Sequence, residues 1–310
     1  MTRSVTVSGR AQGEWLRGSG ADGLSAETIA ALAAHPRFDE AIRLVAAGMV
    51  RLHRGNRLVS TLVSDRGRFV IGYLCVYLHY FGDDGHGPGL TTSRMRALCV
   101  EQKLCSGNRA EAVLALMRLA GYLAAAPASA DRRIRLLVPT DRLISSLRER
   151  WANQFEAMRR VLPEGDRALA ALGRPEFTPA FVRHLSIRFF AGFRLLDQAP
   201  DLELFMERNA GIVVLLHLAL TGAQSGPFPP EGPIPVSISA IAARFGVSRS
   251  HVRKLLRDAG DAGLIHRPDA DGSHIGLSPR LVKAVRVFLA AALLFLAHCA
   301  VAAIDEIDAV

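Results

Sequence analysis

Aromatic residues are scarce in this chain, 6% of 310 positions against 50% hydrophobic residues overall. Packing must therefore fall to alanine and aliphatic side chains, which favours helices over a sheet-rich core. Cysteine is rarer still. The four present, Cys75, Cys99, Cys105 and Cys299, fall in predicted helices or a helical turn. A disulfide framework would space them through loops, so a reducing cytoplasm is the expected setting. The first eighteen residues, MTRSVTVSGRAQGEWLRG, have no apolar core behind their arginines, which excludes a secretory signal or a spanning segment there and predicts a flexible arm.

Catalytic sets are also missing. There is no phosphate-cradling glycine loop ahead of a helix, no nucleophile elbow and no paired carboxylates with a partner, so the chain is not expected to be an enzyme or to need a cofactor. Asp83, Asp84 and His86 lie in the loop FGDDGHGPGL. Nothing else supplies spaced ligands, so the glycines and proline make it a connector and no metal is expected. His79, His217 and His298 sit on apolar helices and are expected to be buried or interfacial, and Cys99 and Cys105 to be core residues.

One apolar run stands out, Phe288 to Ile304, 17 residues long. That is the short end of what crosses a bilayer. Lys283 and Arg286 precede it and Asp305, Glu306 and Asp308 follow, an order that would suit a C-terminal anchor. The run continues a helix beginning near Pro279, so a buried packing helix is the expected reading and a membrane partner is not.

The charge is strongly basic, with 38 Lys+Arg against 29 Asp+Glu, net +9, and arginine far outnumbers lysine. It is also concentrated. Leu90 to Leu143 and Val236 to Arg286 each hold nine basic and four acidic residues, leaving the rest near neutral. Phosphate neutralisation needs that kind of clustering, which points to nucleic acid.

Val236 to Pro279 carries the strongest motif. Ser237 or Ser239 can cap a helix with Ile238, Ile241, Ala242 and Phe245 on one face, and Gly246 ends it in a tight turn plugged by Val247. Ser248 caps a second helix, in which Val252, Leu255, Leu256 and Ala259 face inward. Arg249, Ser250, His251, Arg253, Lys254 and Arg257 face outward, a surface suited to guanine edges and phosphates in a major groove. A short strand, a Pro-Asp-Ala-Asp-Gly turn and a second strand follow as a hairpin with Arg267 and His274 flanking its tip. The run AIAARFGVSRSHVRKLL with the glycine and hairpin after it resembles the winged helix-turn-helix of MarR- and GntR-type bacterial regulators. Over these fifty or so residues the resemblance implies a reading helix, a wing and sequence-specific binding to duplex DNA.

Leu90 to Asp141 repeats the layout at an offset of 142, Ser106 matching Ser248 and Gly121 matching Gly263. The apolar helix Arg68 to Gly82 matches Ala210 to Gly222 upstream. Downstream, Leu143, Leu147, Trp151, Phe155 and Met158 form one stripe of a long helix that parallels Arg280 to Ile304. The first motif offers Ser106, Asn108 and Arg109 on its second helix, with Glu111 and Ala112 making that face less basic, and Arg132, Arg133 and Arg135 on its wing.

The expected architecture is mainly α, with two tandem winged helix-turn-helix units, each with a small β-hairpin wing, joined by long packing or dimerisation helices. Residues 1–35 form an arm with a short helix, 36–163 the first repeat and 164–310 the second. The expected function is a cytoplasmic transcriptional regulator binding double-stranded DNA through both units, the second discriminating more. Alternatives are a plasmid-type replication initiator with tandem winged helices, and a winged-helix protein-interaction or membrane-tethered adaptor. Homodimerisation through the long helices and an effector that no residue identifies are left open.

Overall fold

The computed structural model describes residues 24–53, 66–82, 89–126, 135–223, 226–269 and 272–309. Asp83, Asp84 and His86, expected in a connector, Arg132 and Arg133, expected on the first wing, and the residues before 24, expected as an arm, lie outside them. Among the described residues the chain is mainly helical, with thirteen α-helices and five short strands.

In the first half, α1 (Ala26–Ala33) and α2 (Phe38–Leu52) precede α3 (Arg66–Phe81), α4 (Thr92–Glu101) and α5 (Gly107–Leu119); β1 (Leu123–Ala125), β2 (Leu137–Pro139) and α6 (Asp141–Met158) follow. The second half runs through α7 (Glu164–Ala171), α8 (Phe177–Phe190), two short 3-10 turns, α9 (Glu203–Glu207), α10 (Gly211–Gly222), β3 (Ile234–Pro235), α11 (Ile238–Phe245), α12 (Arg249–Asp261), β4 (Ile265–His266) and β5 (His274–Leu277), and ends in α13 (Pro279–Asp308). Strands β1 and β2 pair antiparallel, Ala124 opposite Val138, while the second sheet has the order β3-β5-β4 with Ile234 opposite Ile275 and Ile265 opposite Leu277.

The internal repeat extends further upstream than the motif spacing indicates. Helices α1 and α2 correspond to α7 and α8 at an offset of 139: Ile29 and Leu32 are buried where Ala168 and Ala171 are, and Phe38, Ala41 and Ile42 where Phe177, Ala180 and Phe181 are. Even the turn between them repeats. The amide of His35 donates to Leu32 O and that of Phe38 to His35 O, at 3.0 and 2.9 Å, while Arg174 donates to Ala171 O and Phe177 to Arg174 O, at 2.9 and 3.2 Å. Helix α1, within the segment expected as an arm, is thus a packed element of the first repeat.

The two repeats exchange these N-terminal helices. Helix α2 packs on α6 of its own repeat and on α10 of the other, and α8 correspondingly packs on α13 and on α3; α1 lies against α13 and α7 against α6. The scarce aromatics gather at the crossing, where Trp151 and Phe155 of α6 meet Phe177 and Phe181 of α8, with the Trp151 and Phe181 rings edge to face at 5.0 Å. All four are fully buried, and Trp151 Nε1 donates to Tyr73 Oη at 2.9 Å, so the one polar atom of the indole is satisfied.

Helix α13 runs through the centre. Its 30 residues touch α1, α2, α6, α7 and α8 and both 3-10 turns. By length and composition it could cross a membrane, yet 67% of its most apolar stretch is buried inside the protein, as the packing-helix expectation has it. Its acidic end is held by the second repeat: Asp305 pairs with Arg167 at 3.3 Å, Glu306 with Arg183 and His184 at 2.9 Å each, and Asp308 with Arg174 at 2.6 Å. Exposed pairs of this kind contribute about 0–1 kcal/mol each, so they set the register of α13 more than they stabilise it.

Two outcomes test the exchange. Cutting the chain between α6 and α7 should leave each piece unfolded alone, whereas the two expressed together should form a one-to-one complex by gel filtration with native helicity; a lone piece that folds contradicts the exchanged core. Arg286 donates to Ala33 O and Phe228 O, both at 2.8 Å, and to the Asp39 carboxylate. Arg286→Met should therefore lower unfolding free energy by about 2–3 kcal/mol in urea, against a change under about 0.5 kcal/mol for exposed Arg249→Met.

Candidate nucleic-acid interface

Helix α12 forms over Arg249–Asp261, capped by Ser248, whose Oγ accepts from His251 N at 3.1 Å. Its partner α11 is capped by Ser237, with Ser239 bonded to it at 3.3 Å. The chain leaves α11 through Gly246 at φ 67° and ψ 27°, and the Val247 amide then bonds Ala242 O at 3.1 Å. This left-handed turn fixes the angle between the two helices, and glycine adopts it without steric cost. Val252, Leu255, Leu256 and Ala259 are buried beneath α12.

On the outer face Arg249, Ser250, Arg253, Lys254 and Arg257 are exposed. His251 differs from expectation: it is half-buried, and its Nε2 lies 2.8 Å from Asn209 O, so it anchors the start of α12 to the segment before α10. Asp258 organises the far end. It lies 2.7 Å from Arg208, 3.5 Å from Lys254 and 3.7 Å from Arg257. Burial alone would raise its carboxyl pKa, but Lys254, Arg208 and Arg257 outweigh it and hold the group below the usual carboxylate value. Sequence reasoning misses Arg208 and Asp258. Lys254 and Asp258 share the i,i+4 spacing that could have shown half of this cluster, but Arg208 is fifty residues away.

In the hairpin, Arg267 is exposed and donates from Nη1 to Gly272 O at 3.3 Å, and the His274 ring is held 2.6 Å from Asp269 Oδ2. The two therefore brace the loop end of the hairpin. Its base is closed by the helix that follows, since the Ser278 amide donates to Leu264 O at 2.9 Å. In the first repeat Thr140 does the same to Tyr122 O at 3.0 Å.

The first repeat builds the same surface differently. Ser106 caps α5, accepting from Arg109 N at 3.3 Å, and Asn108, Arg109 and Arg135 are exposed. Where the second repeat has Gly246, the first has Lys103 at φ 52°, with Leu104 N bonded to Cys99 O at 2.9 Å. The turn is one residue longer, Cys105 being the addition before the Ser106 cap. Cys99 is fully buried and burial, then the neighbouring Cys105, pushes its thiol up to about 12; Cys105 itself is half-buried in the turn. Of the three histidines expected in apolar surroundings, His217 and His298 are half-buried, but His79 is exposed, because α3 ends two residues later and its last turn projects beyond the core.

Comparison with family models, curated proteins and solved structures finds no match. The site's meaning therefore rests on its own chemistry. Four cations stand on the outward face of a capped helix, and their counterparts on α5 are few.

The turn chemistry is directly measurable. A non-glycine residue in the left-handed region costs about 1 kcal/mol or more, so Lys103→Gly should raise stability by about that amount and Gly246→Ala should lower it similarly in chemical denaturation. Equal, negligible effects at both positions would mean that neither turn holds this conformation in solution.

Proposed function

We propose that α4, α5 and the β1–β2 hairpin, and α11, α12 and the β4–β5 hairpin, are two winged helix-turn-helix units, and that the chain binds double-stranded DNA as a transcriptional regulator. The observation that carries this reading is α12 itself. Arg249, Arg253, Lys254 and Arg257 are exposed on one helix whose opposite side is buried and whose entry angle is set by Gly246. A rod of this width fits a major groove, its arginines can each offer two donors to a guanine, and its N-terminal amides and capping serine suit a phosphate. A solvated basic face has no need of the rigid cap, the packed underside or the clamp of Arg208 on Asp258.

Unit one supports the same reading more weakly. Its helix α5 has the length, cap and buried pattern of α12 but a face poorer in charge, so most of the electrostatic attraction is assigned to unit two. The exchange of N-terminal helices ties two such helices into one chain, where a homodimer of single units brings two together by association.

The expected behaviour is duplex binding that weakens steeply with salt. Arg253→Ala with Arg257→Ala should weaken binding to duplex DNA in a titration monitored by fluorescence anisotropy. Each phosphate that the variant no longer neutralises should make the log–log salt dependence shallower by about 0.9. Salt-insensitive binding, or an affinity that the double substitution leaves unchanged, contradicts the assignment.

A further inference from the structure

Helices α5 and α12 are both thirteen residues long and start one residue after a capping serine, so at the offset of 142 their positions can be compared one by one. Burial agrees almost throughout. Ala110, Val113, Leu114 and Met117 are buried where Val252, Leu255, Leu256 and Ala259 are. The exposed positions disagree chemically. Where α12 presents Arg253, Lys254 and Arg257, α5 presents Glu111, Ala112 and Ala115, all exposed; where α12 presents Ser250, α5 presents Asn108. Glu111 is turned aside, its carboxylate taking a hydrogen bond from Arg96 of α4 at 3.0 Å, which offsets the one charge that a phosphate or base acceptor would repel.

Resting on the duplex-binding reading above, we infer that a single chain reads a non-palindromic site, with α12 contacting a guanine-containing block through Arg253 and α5 contacting an A·T block through Asn108. Among the described residues neither Arg249 nor Arg253 has an ion-pair partner, whereas Lys254 and Arg257 are drawn to Asp258. Arg249 is the first residue of the helix, where phosphates are held, and Arg253, a full turn further in and opposite Glu111 of α5, is the arginine assigned to guanine N7 and O6. Asn108 carries a side-chain amide that can donate to adenine N7 and accept from its N6 amino group. The methyl groups of Ala112 and Ala115 are too short to reach phosphates and match the C5 methyl of thymine, letting α5 sit closer to the base edges. Two identical reading helices impose two identical half-sites. These two are not identical in any of the groups that read.

The test is selection of bound duplexes from a random-sequence library with the full chain. Two unlike blocks are expected, one with an invariant guanine and one of A·T pairs. Arg253→Ala should flatten only the guanine preference, by about tenfold, and Asn108→Ala only the adenine preference, by a similar factor. Both side chains are exposed, and unchanged thermal melting confirms that the fold is kept. A combined Glu111→Arg, Ala112→Lys and Ala115→Arg variant should convert the A·T block toward a copy of the guanine block, a gain that misfolding cannot produce. Two like blocks from the native chain, or an Asn108→Ala profile with both blocks intact, overturns the inference while leaving duplex binding standing. Duplex retained by the chain without enrichment of any sequence overturns the inference alone, whereas a chain that retains no duplex overturns the duplex-binding reading itself, and this inference with it.

Discussion

A helix ends with carbonyl groups that no amide of its own can reach, and in this protein two arginines meet that need across the repeats. Arg286 of α13 donates to Ala33 O at the end of α1, and Arg148 of α6 donates to Leu172 O at the end of α7. Each guanidinium comes from the long helix of one repeat, and each carbonyl from the short first helix of the other. The positive charge also suits the negative end of the helix dipole. Arg286 further reaches Asp39 and Phe228 O, and Arg43 reaches Ala223 O and Gly226 O, so α1 and α2 are stitched into the second repeat at several points. Without this exchange α2 would lose α10, α8 would lose α3, and neither motif would have a platform fixing it relative to the other.

The same constraint explains why α13 reads like a membrane helix. A helix packed on one side shows an apolar stripe, whereas a helix surrounded by neighbours loses its polar face. Helix α6 has one apolar stripe and is 18 residues long; α13, with 30, meets helices from both repeats and is buried at Leu289, Ala290, Ala291, Leu293 and Leu294, which cover more than one face. Its two ends carry the charges that a buried helix still needs. Lys283 and Arg286 lie near the start, and Asp305, Glu306 and Asp308 meet Arg167, Arg174, Arg183 and His184 at the other.

Local chemistry is legible in the sequence, and long-range chemistry is not. The serine caps of α5 and α12, the Gly246 turn, the inward face of α12 and the stripe of α6 all follow from residue types within a few positions, and the structure places them accordingly. The N-terminal extension of the repeat is hidden because its helices share few letters: Ile29 and Leu32 match Ala168 and Ala171, and apart from two common alanines, Ala31 with Ala170 and Ala41 with Ala180, the signal is the Pro-x-Phe turn, Pro36 to Phe38 and Pro175 to Phe177. Helical spacing puts His251 in solvent because nothing nearby in the sequence reveals Asn209 O as its partner. The Lys103 turn is concealed for a similar reason. A lysine in the left-handed region has no propensity to announce it, and only the backbone bond from Leu104 to Cys99 requires it.

Fusion of two units in one chain changes what selection on the surface can do. In a symmetric dimer every exposed substitution occurs twice, so altering one reading helix alters both and the two half-sites stay alike. Within a fused pair the buried positions still answer to the same packing, and the matching burial of α5 and α12 reflects that shared demand. On the proposed duplex-binding reading, the outward positions answer to separate stretches of DNA. Glu111, Ala112 and Ala115 opposite Arg253, Lys254 and Arg257 are what independent surfaces on a common frame produce, because all six side chains are exposed and, of them, Glu111 bonds a neighbouring helix, through Arg96 of α4.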